Sequence, residues 1–254
     1  MKKGYLGLWL ILVLSLGIFF FISSLDSVNV FGVELKPSKM YSSLVCKSDS
    51  DSIIPPPQPK LFPQPVDTAS QSILFIGDSM LEGLYPRLAA YADENGHELR
   101  VAMWYSSTSQ IWGECDTLTH FINKVNPSYI FICLGANELF VKDIAEKRDK
   151  YVKNILKQIG DIPYLWIGPP NWKPDTGINK LIAKNTKKGC FFLSDGMTFD
   201  RAKDGAHPTR QSAIVWMDSI VRWMPDSCLH PIRMNLPKVK SSRAKRVYAL
   251  QPKK

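Results

Sequence analysis

From Ser72 onward, short apolar runs alternate with longer stretches of helical period, and no other feature of the 254-residue chain restricts its fold as tightly. Runs rich in β-branched, aromatic or leucine side chains fall at Ile73 to Ile76, Leu99 to Trp104, Tyr129 to Leu134, Tyr164 to Ile167 and Cys190 to Leu193. Helical patterns lie between them, clearest from Asp143 to Ile159, and a last helix is expected to start at Pro208, where a missing N–H costs nothing. Strand and helix alternating about five times predicts an α/β protein, a three-layer α/β/α sandwich around a five-stranded, mainly parallel sheet. Such a sheet binds ligands beyond the carboxyl ends of its strands, so the polar residues that follow each strand are the ones to inspect.

Those residues converge on one chemistry. "GDS" at Gly77 to Ser79 follows the first strand, "SSTSQIWG" from Ser106 to Gly113 the second, and "LGANELF" with Asn137 the third. After the fifth comes "SDGMTFDRAKDGAHPT", in which Asp204 stands three residues before His207. Acyl transfer by a serine needs a hydroxyl, an imidazole to take its proton, a carboxylate to fix the imidazole tautomer, and donors for the oxyanion. Ser79, His207, Asp204 and the Asn137 amide supply these. Asp195 and Asp200 are alternative orienters for the histidine, while His97, His120 and His230 lack a well-spaced acid at a strand end. Trp112 and Trp172, in loops near the expected site, are the candidates to stack on a sugar ring.

"GDSM" at Gly77 to Met80, "GAN" at Gly135 to Asn137 and "DGAH" at Asp204 to His207 resemble blocks I, III and V of the SGNH (GDSL-type) hydrolases, in that family's order. The resemblance runs from about Ser72 to Met224 and implies a flavodoxin-like fold. It implies Ser79 as nucleophile, His207 as base, Asp204 as orienter, and an oxyanion hole formed by the Ser79 backbone N–H, the Asn137 side chain and a backbone donor after the second strand. The family has glycine at that last position; here Ser106 to Ser109 fill it, with Ser107 the expected donor, and Gly113 comes late. Glu138 stands where the family has aspartate. Leu81 replaces the second glycine of a G-x-S-x-G elbow, so the α/β-hydrolase pattern does not apply.

The flanks carry other signals. Lys2 and Lys3 precede an uncharged run from Tyr5 to Ile22, close to the minimum for a spanning helix, and no A-x-A-like cleavage site follows. Residues 1–24 are therefore expected to be a signal anchor, with the rest of the chain extracytoplasmic, periplasmic or at the cell surface, or secreted if the signal is cleaved. Residues 25–70, ending in "IIPPPQPKLFPQP", read as a Pro- and Ser-rich stalk, and 71–228 as the hydrolase-like domain. The net charge of +9 sits almost entirely after Asp226, where eight Lys and Arg residues occur with no acidic one. Residues 229–254 are accordingly expected to be a solvated, flexible basic tail, and the near-neutral body argues against nucleic acid as partner. Five cysteines without a C-x-x-C pair predict neither a metal site nor another cofactor.

The expected function is that of a serine esterase removing O-acyl groups, O-acetyl foremost, from a carbohydrate or another small ester. An O-acyltransferase with the same triad, or a non-catalytic glycan-binding or envelope-scaffold domain on the same fold, are the alternatives.

Overall fold

The structure, a computed structural model, describes residues 64–251, the pieces 28–30 and 33–35, and positions 13 and 15. The chain divides into two units, Met1–Asp51 and Ser52–Lys254. The expected anchor lies outside the described residues apart from Val13 and Ser15, and among the described residues no helix is long and apolar enough to cross a membrane. In the first unit β1 (Val28–Val30) and β2 (Val33–Leu35) pair antiparallel, a short hairpin within the span read as a stalk, most of which lies outside the described residues. The alternation in Val-Asn-Val and Val-Glu-Leu is short enough to be lost among the surrounding polar residues.

The second unit is built on β3 (Ser72–Gly77), β4 (Glu98–Trp104), β5 (Tyr129–Cys133), β6 (Tyr164–Ile167), β7 (Phe191–Phe192) and β8 (Arg246–Leu250). All pair in parallel, in the order β7-β6-β5-β3-β4-β8. The central strand β3 is buried on both faces. Ile73 and Phe75 pack with α1 (Leu81–Asn95) and α6 (Arg210–Ser227). Leu74 and Ile76 pack on the other face with α2 (Ser109–Glu114), α3 (Thr117–Val125), α4 (Ile144–Ile159) and α5 (Ile178–Asn185). The sandwich is thus as expected, with six strands in place of five. Helix α6 starts two residues later than Pro208, because the Thr209 side chain accepts the Ser212 N–H and caps it.

The sixth strand overturns the expectation of a flexible tail. Ile232 is buried and bridges Asp67, whose N–H and carbonyl bond Pro231 and Arg233 at 2.8 Å each. The Asn95 amide brackets Asn235, and the His97 ring bonds the Gln71 N–H through Nδ1 and the Arg233 carbonyl through Nε2. Burial lowers the pKa of His97, in keeping with a neutral structural link. Further on, Arg87 donates to the Val239 carbonyl, Ser242 N–H to the Pro86 carbonyl, and Lys245 pairs with Glu98. β8 then pairs with β4 from Arg100↔Arg246 to Trp104↔Leu250, with the Tyr248 ring 5.1 Å from Phe121. The basic residues are spaced along a strap held by backbone bonds and apolar side chains as well as by Lys245 and Arg233, a pattern that net charge alone conceals.

Ending the chain at Cys228 is expected to lower the melting temperature by about 10 °C or more, since each kcal/mol is worth roughly 2–4 °C in a domain of this size. An unchanged melting temperature would show the strap to be dispensable.

Candidate active site

The carboxyl ends of β3, β4 and β5 bring three turns together. Gly77 ends β3 so close to β5 that a Cβ there would lie 2.2 Å from the Cys133 carbonyl oxygen and 2.4 Å from Leu81, which only glycine tolerates. Asp78 N–H donates to the Cys133 carbonyl at 3.3 Å, turning the Asp78 side chain into the interior. Ser79 follows, half-buried, just before α1 begins at Leu81.

From the other end of the domain, the loop before α6 delivers the partners. His207 Nε2 is 2.8 Å from Ser79 Oγ, and His207 Nδ1 is 2.7 Å from Asp204 Oδ2. The second carboxylate oxygen of Asp204 accepts the Ala206 and His207 N–H groups at 2.9 and 3.0 Å, in a turn that Gly205 allows with φ +71°. Those two backbone donors, then the His207 side chain, pull the Asp204 pKa down to about 2, so the carboxylate stays ionised. Asp195 instead accepts from Asn171 and Gly196, and Asp200 makes backbone bonds to Ser212 and Thr209, so neither replaces Asp204. Ser79, Asp204 and His207 line a cleft of about 630 Å³ with Glu82, Tyr105, Ser106 and Arg210 at its walls.

The oxyanion donors fall out differently from the sequence expectation. Ser107 is fully buried and fully engaged: its N–H bonds the Trp104 carbonyl, its hydroxyl accepts from the Trp112 indole, and its carbonyl accepts from Asn137 Nδ2 at 2.9 Å. It cannot donate to a substrate. The neighbouring Ser106 N–H is open to the cleft instead. The residue is exposed in the cleft, has φ +56° where a glycine would ordinarily stand, and its N–H has no acceptor among the described residues. Ser79 N–H is free in the same way. Asn137 keeps one amide N–H beyond the bond to Ser107. The positive φ at a serine left no mark in the sequence except the run of small polar residues that contains it.

Glu138 explains how the Asn137 turn is held. It is fully buried, accepting the Ser109 hydroxyl at 2.6 Å, the Ser109 N–H at 3.0 Å and Arg148 Nε at 2.9 Å. One carboxylate therefore clamps the turn after β5 to the start of α2 and to α4. Gly113 serves packing, not catalysis, because a Cβ there would meet the Tyr151 backbone at 2.6 Å.

The tryptophans separate. Trp112 is fully buried, 5.6 Å edge-on to Trp104, and supports Ser107 from behind, so it cannot stack on a sugar. Trp172 is half-buried and donates to the Ala136 carbonyl beside Asn137, with exposed Phe140 5.3 Å edge-on and Lys173 Nζ 4.9 Å above its ring. It lies next to the Asn137 turn but not on the wall of the cleft. Among the described residues no cluster of His, Cys, Asp or Glu is arranged to hold a metal ion, and Cys115, Cys133, Cys190 and Cys228 are free thiols.

Neither a family model nor a curated protein sequence matches the chain. Among solved structures it is similar to an acetyl esterase mutant with acetate ion (12% identity, TM-score 0.46, 58% of this chain and 93% of that one). It is also similar to a family 3 carbohydrate esterase of Clostridium thermocellum (16%, 0.42, 61% and 98%). A psychrotrophic esterase from Pseudoalteromonas sp. inhibited by monoethylphosphonate is comparable (17%, 0.41, 60% and 97%). Likeness at this level carries no weight for the chemistry, which stands on the contacts described above.

One buried group makes the site sensitive to pH. Asp78 Oδ1 accepts the Met80 N–H at 2.9 Å, while Oδ2 is buried with no hydrogen-bond partner. Burial raises its pKa from 3.8 to about 7, against smaller lowering effects of the Met80 N–H and His207. The folded protein thus holds this proton more tightly than the unfolded chain. Its stabilising contribution is complete below about pH 4 and is lost as pH rises through 7. Asp78→Asn should therefore gain stability relative to the parent between pH 4 and pH 8, by roughly 2–4 kcal/mol. Paired thermal melts across that range check it, and a constant difference at all pH values would show that Asp78 does not titrate.

Proposed function

We propose that this chain is a serine esterase of the SGNH type that removes O-acyl groups, O-acetyl foremost, from a carbohydrate through an acyl-enzyme. The observation that carries the proposal is His207 in hydrogen-bond contact with both Ser79 and Asp204, residues from opposite ends of the domain. A binding module has no use for that arrangement.

Each group then has one task. Ser79 Oγ attacks the acyl carbonyl carbon and passes its proton to His207 Nε2, while Asp204 holds the Nδ1–H and stabilises the imidazolium. The oxyanion is met by the N–H groups of Ser79 and Ser106 and by the second Asn137 amide hydrogen. As the tetrahedral intermediate collapses, the proton on Nε2 goes to the departing sugar oxygen, leaving the acyl group on Ser79. Water, activated by the same imidazole, releases the free acid and restores the serine. The His207 side chain is one-third exposed in an open cleft, which leaves room for a sugar hydroxyl in place of that water. Transfer to an acceptor is therefore the second reading.

The charged flank at Lys2 and Lys3 and the uncharged run from Tyr5 to Ile22 support a membrane-anchored, extracytoplasmic location. Trp172, with Phe140 and Lys173 against its ring, is the remaining aromatic candidate for sugar contact.

Acetate release from p-nitrophenyl acetate and from acetylated glycans, with and without an acceptor sugar, tests the proposal. The full chain is expected to release acetate, Asn137→Ala to lose about a hundredfold in kcat, and Ser79→Ala to be inactive. Acetylated acceptor in place of free acetate would establish the transferase, and activity that survives in Ser79→Ala would end the proposal.

A further inference from the structure

The basic strap runs along one side of the catalytic cleft. Pro86, a cleft residue, accepts the Ser242 N–H through its carbonyl, and the next residue, Arg87, holds the Val239 carbonyl at 2.8 Å. Arg210 lines the cleft from the first turn of α6, and one of its terminal nitrogens lies 3.4 Å from the Ser241 hydroxyl. Lys240, exposed, is the neighbour of Ser241 on the strap. The reactive groups and a length of basic chain thus share a wall.

The charges of that wall are unevenly used. The cleft's two carboxylates already have donors: Glu82 accepts the Tyr105 hydroxyl, and Asp204 accepts the His207 ring and two backbone N–H groups. Arg210 and Lys240 have no carboxylate within ion-pair distance among the described residues, whereas Arg87 and Lys245 are paired with Asp218 and Glu98. A guanidinium carries five donors in a planar fork, and a single long contact to a hydroxyl leaves most of the fork unfilled. A neutral sugar offers this fork little, while a carboxylate matches it with two parallel hydrogen bonds. Glu82 lines the same cleft as a carboxyl group, so an anionic substrate is favoured at Arg210 and disfavoured at Glu82, which would fix its orientation.

We infer that the esterase acts on an acidic glycan, an O-acylated polymer containing uronic acid residues, whose carboxylate is bound by Arg210 with Lys240 adding to the local positive field. The inference rests on the esterase reading and narrows its substrate class. Arg210 would then be a specificity-determining residue that touches the substrate away from the reacting carbonyl.

The test compares kcat/KM of the full chain on O-acetylated polygalacturonate and on acetylated xylan at low salt, with p-nitrophenyl acetate as a small neutral control. The acidic polymer is expected to be preferred at least tenfold. Arg210→Ala should reduce that preference fivefold or more, chiefly through KM, and Arg210→Lys should recover part of it. Raising NaCl from 0.05 to 0.5 M should compress it, as an exposed charge contact requires. Equal use of the two polymers by the parent chain, or a preference that Arg210→Ala leaves untouched in a folded protein, overturns the inference. If no ester at all is hydrolysed, the esterase reading fails, and calorimetric binding of trigalacturonate decides the remainder. Binding that is lost in Arg210→Ala upholds anion recognition at this wall, and no binding by the parent chain removes it.

Discussion

The site depends on the contact between Gly77 and the Cys133 carbonyl. Two parallel strands approach until no side chain fits between them, and that closeness sets the turn after β3 directly against the turn after β5. Ser79 leaves the first turn and Asn137 the second, so the strand contact fixes how far apart their backbones stand. Glu138 extends the same constraint to α2 and α4 through Ser109 and Arg148. Removing one partner of such a buried ion pair typically costs about 3–5 kcal/mol. The geometry of the candidate site and the stability of the domain rest on the same set of contacts.

Asp78 shows the cost of that arrangement. Its place between Gly77, where only glycine fits, and Ser79 forces a carboxyl into the interior with one oxygen unpartnered. With its pKa raised to about 7 the group titrates near neutral pH, in a turn held by the Met80 N–H on its Oδ1 and by its own N–H on the Cys133 carbonyl.

Much of this was legible in the sequence. The parallel sheet follows from apolar runs buried on both faces, and the gathering of Ser79, Asn137, Asp204 and His207 from three polar turns falling at strand ends in a fixed order. What escaped was whatever depends on backbone shape or on composition that points the wrong way. Ser106 adopts a left-handed conformation that residue type does not announce, and the expected donor, Ser107, has its N–H already occupied by the Trp104 carbonyl. Trp112 lies in a polar segment yet turns inward to a neighbour, Trp104, that sequence separation hid. The strap reads as solvated because its charges are all basic, although Tyr248 and Leu250 alternate with exposed Val247 and Ala249 as in an edge strand.

The account stands or falls on whether the hydroxyl at position 79 is the activated nucleophile. Intact-protein mass spectrometry with peptide mapping after brief exposure to a fluorophosphonate measures this directly. One covalent adduct, mapped to Ser79 and strongly slowed in His207→Ala, is the predicted result. An adduct at another residue, or labelling of Ser79 at the same rate without the imidazole, would contradict it.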